Sequence, residues 1–120
     1  MIVEIDGVNI VPYIAYQGLK WQRNDLDGEN AGRMLDGVMR RNRVGTKIRM
    51  DITCRPLTSR EARVVLKAVY PEYVTVRYED PQEGIVTKKM YSNNIPASYM
   101  LKKSDGTEYW SGITFPLIEV

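Results

Sequence analysis

Histidine is absent from the 120-residue chain, and cysteine occurs once, at Cys54. Without histidine there is no side chain whose ordinary pKa lies near neutrality. Ser-His-Asp and Cys-His nucleophilic centres and His-containing metal sites go with it. Carboxylate or lysine catalysis survives only formally. Cys54 sits in an alternating segment, where a buried structural thiol is a simpler reading than a reactive one. A lone cysteine forms no internal disulfide. Asp25 and Asp27 could share a cation. Asp-x-Asp-Gly is common in plain turns, however, and Glu29 comes too early for the late glutamate of a calcium loop. Gly28, Gly32 and Gly37 fit neither a dinucleotide fingerprint nor a phosphate loop. The sequence therefore offers no catalytic, cofactor or metal site, and the chain reads as non-enzymatic.

Charge and aromatic residues carry more information. The net charge is +2, from 17 basic and 15 acidic residues. Between positions 33 and 63 lie nine basic residues: Arg33, Arg40, Arg41, Arg43, Lys47, Arg49, Arg55, Arg60 and Arg63. The same interval holds three acids, Asp36, Asp51 and Glu61. A basic strip can contact phosphates or serve as a solvated face with ion pairs between subunits. The small net charge and the lack of a nucleic-acid module favour subunit contact. Eight tyrosines and two tryptophans stand against one phenylalanine. Some must serve the core, and the surplus leans toward an assembling surface, where these residues are enriched.

The elements that position these groups are mostly strands. Apolar runs at 2–5 and 8–11 flank Asp6-Gly7, a two-residue hairpin signal. Residues 18–24 alternate as a strand, with Leu19, Trp21 and Arg23 on one side. Residues 25–37 carry Asp27-Gly28, Gly32 and Asp36-Gly37 and read as a long loop. Strand signal resumes within 38–43. In residues 47–54, Ile48, Met50, Ile52 and Cys54 share the face opposite Arg49. Thr58 and Glu61 form a capping box, and Leu57 can staple against Ala62. The helix over 58–69 aligns Ala62, Val65, Leu66 and Val69 into one stripe, and Pro71 stops it. Strands follow at 73–78 and 85–91 around the turn at 80–84. After a turn at 92–94 comes a strand at 95–102, weakened at Pro96. Ser104-Asp105-Gly106-Thr107 signals a hairpin into a last strand over 109–118, with Gly112 and Pro116 marking a bulge or an edge.

This order gives one domain over residues 1–120, mainly β with one helix (α+β). The expected form is a β-sandwich or strongly curved antiparallel sheets flanked by the single helix. Residues 25–45 form an extended loop or arm within it. That arm carries Met34, Leu35, Val38 and Met39, which fit no core period, with Arg33, Arg40 and Arg41 beside them. The expected subunit contact comprises Trp21, Arg23, Arg33, Met34, Leu35, Met39, Arg40 and Arg41. No apolar run approaches the roughly 20 residues of a membrane helix. The N-terminal residues have no secretory pattern.

Four stretches resemble small tail proteins of siphovirus-type phages and prophages of Gram-positive bacteria. They are Gly18-Leu19-Lys20-Trp21-Gln22-Arg23-Asn24-Asp25, the run from Ala31 through Arg41, Asp51-Ile52-Thr53-Cys54-Arg55-Pro56-Leu57-Thr58, and the ending from Trp110 to Glu119. The likeness extends more loosely to the N-terminal region of distal tail proteins and to tail-tube subunits. It implies a tail-tube-like β-sandwich, rings formed through edge strands, and a long loop reaching the neighbour. It also implies self-association, with a hexamer among the options, contact with neighbouring tail proteins, and a place in the virion after synthesis in the bacterial host cytoplasm. No catalytic residues come with it. The second domain of a full distal tail protein has no counterpart here. The alternative is a head-tail connector, tail terminator or completion protein whose basic loop faces the DNA channel. DNA contact belongs to that channel-facing arrangement alone. Neither reading involves a small-molecule substrate or membrane insertion.

Overall fold

The computed structural model describes residues 1–25 and 46–120 in full, and of residues 26–45 only the backbone pairing at 26–27, 32–33, 39–40 and 43–45. The elements in chain order are β1 (Val3–Ile5), β2 (Val8–Asn9), a 3-10 turn (Val11–Tyr13), β3 (Ile14–Asp27), β4 (Gly32–Arg33) and β5 (Met39–Arg40). Then come β6 (Arg43–Cys54), β7 (Leu57–Thr58), α1 (Ser59–Ala68), β8 (Val74–Asp80), β9 (Gly84–Tyr91), β10 (Ser98–Lys102), β11 (Glu108–Ser111) and β12 (Thr114–Glu119). The fold is mainly β with antiparallel sheets and, among the described residues, a single helix, as the sequence indicates.

Seven strands form one sheet in the order β2-β1-β8-β9-β12-β6-β3, and three form a second, β10-β11-β7. Strands β4 and β5 pair with each other. Side-chain alternation decides which face of the large sheet is buried. Ile48, Met50, Ile52 and Cys54 on β6, and Val74, Val76 and Tyr78 on β8, point into one core with Val3, Ile5, Met90, Phe115 and Leu117. The Asp6-Gly7 hairpin forms because both residues take positive φ, 48° and 83°, as its tight turn requires.

The helix begins as its capping box dictates. The Glu61 amide donates to Thr58 Oγ1 at 3.2 Å, and the Thr58 amide donates to Glu61 Oε1 at 3.1 Å. Ala62, Val65 and Val69 are buried, whereas Leu66 is only half-buried. The stripe is narrower than its period suggests: Ala62, Val65 and Val69 enter the shared core, while Leu66 packs at its margin.

Two expectations need correction. Residues 25–37 are not loop throughout. Strand β3 runs on through Asp27, with Asp25 opposite Thr46, Leu26 opposite Gly45 and Asp27 opposite Arg43. Gly32 and Arg33 then lie opposite Arg40 and Met39. Ladder hydrogen bonds to β6 override the turn preference of the polar side chains. Met34, Leu35, Val38 and Arg41 lie outside the described residues. Nor is 109–118 one strand. Gly112, at φ 69°, turns the chain from β11 in the small sheet to β12 in the large one. The Cys54 amide donates to the Ile113 carbonyl at 2.9 Å and ties that corner to β6. Pro116 sits in a strand between β6 and β9. It is tolerated because β9 pairs with β12 only at Ile118 and Glu119.

Candidate assembly surface

Trp21 and Arg23 are the expected contact residues whose side chains are described. Both lean on the turn between β8 and β9. Trp21 Nε1 donates to Asp80 Oδ2 at 3.1 Å, and Arg23 donates to Gln82 Oε1 at 3.3 Å. Arg23 also pairs with Asp25 at 3.0 Å. In the pairing order β3 and β8 are separated by β9, β12 and β6. These contacts therefore require the sheet to curl until its β3 edge faces the end of β8. The indole N–H is engaged within the chain. Asp25 belongs to a strand and an ion pair, while Gly28 lies outside the described residues. Arg33, Met39 and Arg40 have described backbone pairing only, while Met34, Leu35 and Arg41 fall outside the described residues.

Asp80 is the node that sequence reasoning missed. Its side chain is 3% exposed, yet it is charged and fully engaged. Tyr78 donates its hydroxyl to Oδ2 at 2.9 Å, and the amides of Gln82 and Glu83 donate to Oδ1 at 2.7 and 3.0 Å. Burial alone pushes the carboxyl pKa up. The Gln82 amide, the Tyr78 hydroxyl, the Glu83 amide and the Trp21 indole outweigh it and hold the group below the usual carboxylate value. The same burial, and then the bond to Asp80, push the Tyr78 hydroxyl well above the usual phenol value. The β8–β9 tip is thereby locked. The aspartate stands at position i of a tight turn, the one signal from which this node could have been found.

A second polar staple fixes the helix start. Arg55 donates to the Pro12 carbonyl at 2.9 Å and pairs with Glu61 at 2.9 Å, while its guanidinium lies 5.9 Å from the Tyr13 ring centre. The Arg55 bond, followed by the Thr58 amide, lowers the Glu61 pKa. Beside it Cys54 is buried, and desolvation pushes its thiol up to about 11, against a smaller opposing effect of Arg55. The thiol is therefore un-ionised near neutrality and poorly suited to nucleophilic work.

The outward-facing parts are edges and grooves. β3, 14 residues long, is an outer strand of the large sheet. It carries a bulge between Ile14 and Leu19, where Gln17 has φ 56° and Tyr16 is 94% exposed. Gly18 is required there, since a Cβ would collide with the Thr53 carbonyl oxygen. β10 is an outer strand of the small sheet, and all five of its residues are exposed, including Tyr99, Met100 and Leu101. A tyrosine-lined cleft of about 410 Å³ includes Tyr70, Tyr73 and Tyr91. An apolar groove of about 320 Å³ runs between α1 and the small sheet, lined by Ala62, Leu66, Ala97 and Trp110, with Ser59 and Arg63 at its rim. Neither lining sets an acid beside a base. Among the described residues no group of acids and cysteine could hold a metal. Comparison with protein-family models, curated protein sequences and solved structures finds no match for the chain.

Proposed function

We propose that the chain is a non-enzymatic structural component of a bacteriophage or prophage tail that assembles into a ring through its sheet edges. The observation that carries this reading is β3, a long strand at the outer edge of a seven-stranded antiparallel sheet. Such an edge presents a row of backbone N–H and C=O groups ready to pair with another chain. The exposed edge strand β10, with its tyrosine, methionine and leucine, supports it, because proteins normally protect apolar edges. The tail part of this reading rests on the four stretches that resemble siphovirus tail proteins. The mainly-β fold with one flanking helix agrees with what that resemblance implies.

The test has two parts. The purified chain is weighed in solution by light scattering over a range of concentrations and imaged for rings. An antibody against it is then located on assembled particles. Rings in solution and label along the tail support the reading. A strict monomer, with no label on particles, overturns it. Label confined to the head-tail joint would move the chain to the connector role.

A further inference from the structure

Two surfaces of the chain complement each other, and among the described residues no ion pair joins them. The first is the β8–β9 tip. Glu79 and Glu83 stand there with side chains 58% and 53% exposed, each 3.9 Å from its cation, the N-terminal amine and Lys88 respectively. Ile85 beside them is 54% exposed. Arg23 reaches the tip, but its charge is matched by Asp25. Asp80 holds the turn from below, so the tip carries its charge on a preformed frame.

The second surface is the outer side of α1. Arg60, Arg63 and Lys67 are exposed there, spaced by three and four positions and hence on one face. Among the described residues no carboxylate pairs with any of them. Glu61, the one acid in the helix, is held by Arg55. Beside this row lies the apolar groove of Ala62, Leu66, Ala97 and Trp110. The helix leads into the start of β8, and the acidic tip lies at the far end of that strand. That strand is six residue steps, about 20 Å, long, and among the described residues no ion pair joins the two surfaces.

We propose that the β8–β9 tip of one copy seats on the helix groove of the next, with Glu79 and Glu83 on Arg63 and Lys67 and Ile85 between Leu66 and Trp110. The contact joins two different surfaces, so it propagates head to tail and closes into a ring when the rotation permits. Carboxylates answer the cations and isoleucine answers the groove, which a phosphate backbone would leave unfilled. The proposal rests on the self-assembling reading above and adds a second contact to the pairing of sheet edges.

Charge reversal tests it. One variant carries Glu79→Lys with Glu83→Lys, and another carries Arg63→Glu with Lys67→Glu. All four positions are exposed, and circular dichroism verifies that each variant folds. Each alone faces like charge with like and should lose at least about tenfold in association strength. Mixed in equal amounts they should reassemble, because each altered surface then meets its opposite. Ile85→Ser, which leaves the charges alone, should also weaken association. If the wild type assembles and the variants assemble equally well, the tip-to-groove contact is wrong and the ring reading stands. If both variants fall apart and the mixture stays apart, the effect is general repulsion and the contact is again wrong. A wild type that remains monomeric at every concentration sinks the ring reading and this contact together.

Discussion

The large sheet and the small sheet differ in strand length and in what lies behind them. Along β8 burial alternates residue by residue, and Val74, Val76 and Tyr78 enter the shared core. Along β10 every residue is exposed. The small sheet reaches the core through Leu57 of β7, which is fully buried, and through the indole ring of Trp110 in β11. That ring meets Tyr99 edge-on with centroids 5.5 Å apart and donates to Ser59 Oγ at 3.0 Å. The large sheet therefore supplies most of the area removed from water, and the small one adds Leu57 and Trp110 to the same core. Most of the buried core side chains belong to the first. The second presents apolar side chains outward, where a monomer gains nothing from them.

Substitutions can break or sharpen this contrast. The largest effect is expected for Met50→Ala in the large sheet. Its side chain is fully buried, and truncation should cost about 2–5 kcal/mol in denaturant unfolding. A loss below about 1 kcal/mol would mean the core is looser than its burial suggests.

Asp80→Ala comes next, at about 2–3 kcal/mol, because Tyr78 and Trp21 would keep donors with no acceptor. The same residue predicts a pH dependence. Its carboxyl gives up its proton at lower pH in the folded chain than in the unfolded one. Its stabilising contribution is thus complete above the ordinary carboxylate range and is lost as pH falls through the lowered folded value. Melting curves taken below about pH 4 should show the wild type losing stability more steeply than Asp80→Asn. Parallel curves for the two proteins would contradict this.

Thr58→Ala should cost roughly 1 kcal/mol through loss of the helix cap, read as a fall in melting temperature with unchanged strand content. The smallest effect belongs to the small sheet. Leu101→Ala, at an exposed position of β10, should change monomer stability by no more than about 0.5 kcal/mol. If instead it destabilises like Met50→Ala, β10 contributes to the core as β6 does and the contrast fails.

Leu66 shows where the sequence reading stops. Its spacing from Ala62 and Val69 assigns it to the buried stripe, yet it is half-buried and lines the groove. Periodicity finds the side of a helix that faces the protein. It does not report how wide the supporting surface is. Trp21 is similar. Alternation puts it on the inward side of β3, but its hydrogen-bond partner lies 59 positions away.

What the sequence determined by itself is local. The alternation of Ile48, Met50, Ile52 and Cys54 specifies one buried face, because successive side chains in a strand point oppositely. Thr58 and Glu61 specify the helix start through two hydrogen bonds spanning three residues. Asp6-Gly7 specifies a turn through positive φ. Tertiary structure alone decided the strand order, the curl that brings Trp21 to Asp80, the break at Gly112 between sheets and the continuation of β3 through a polar segment. Each of these depends on pairing between residues far apart in the chain. Such pairing is governed by ladder hydrogen bonds and shared burial, which leave no signature in the short-range pattern of either partner.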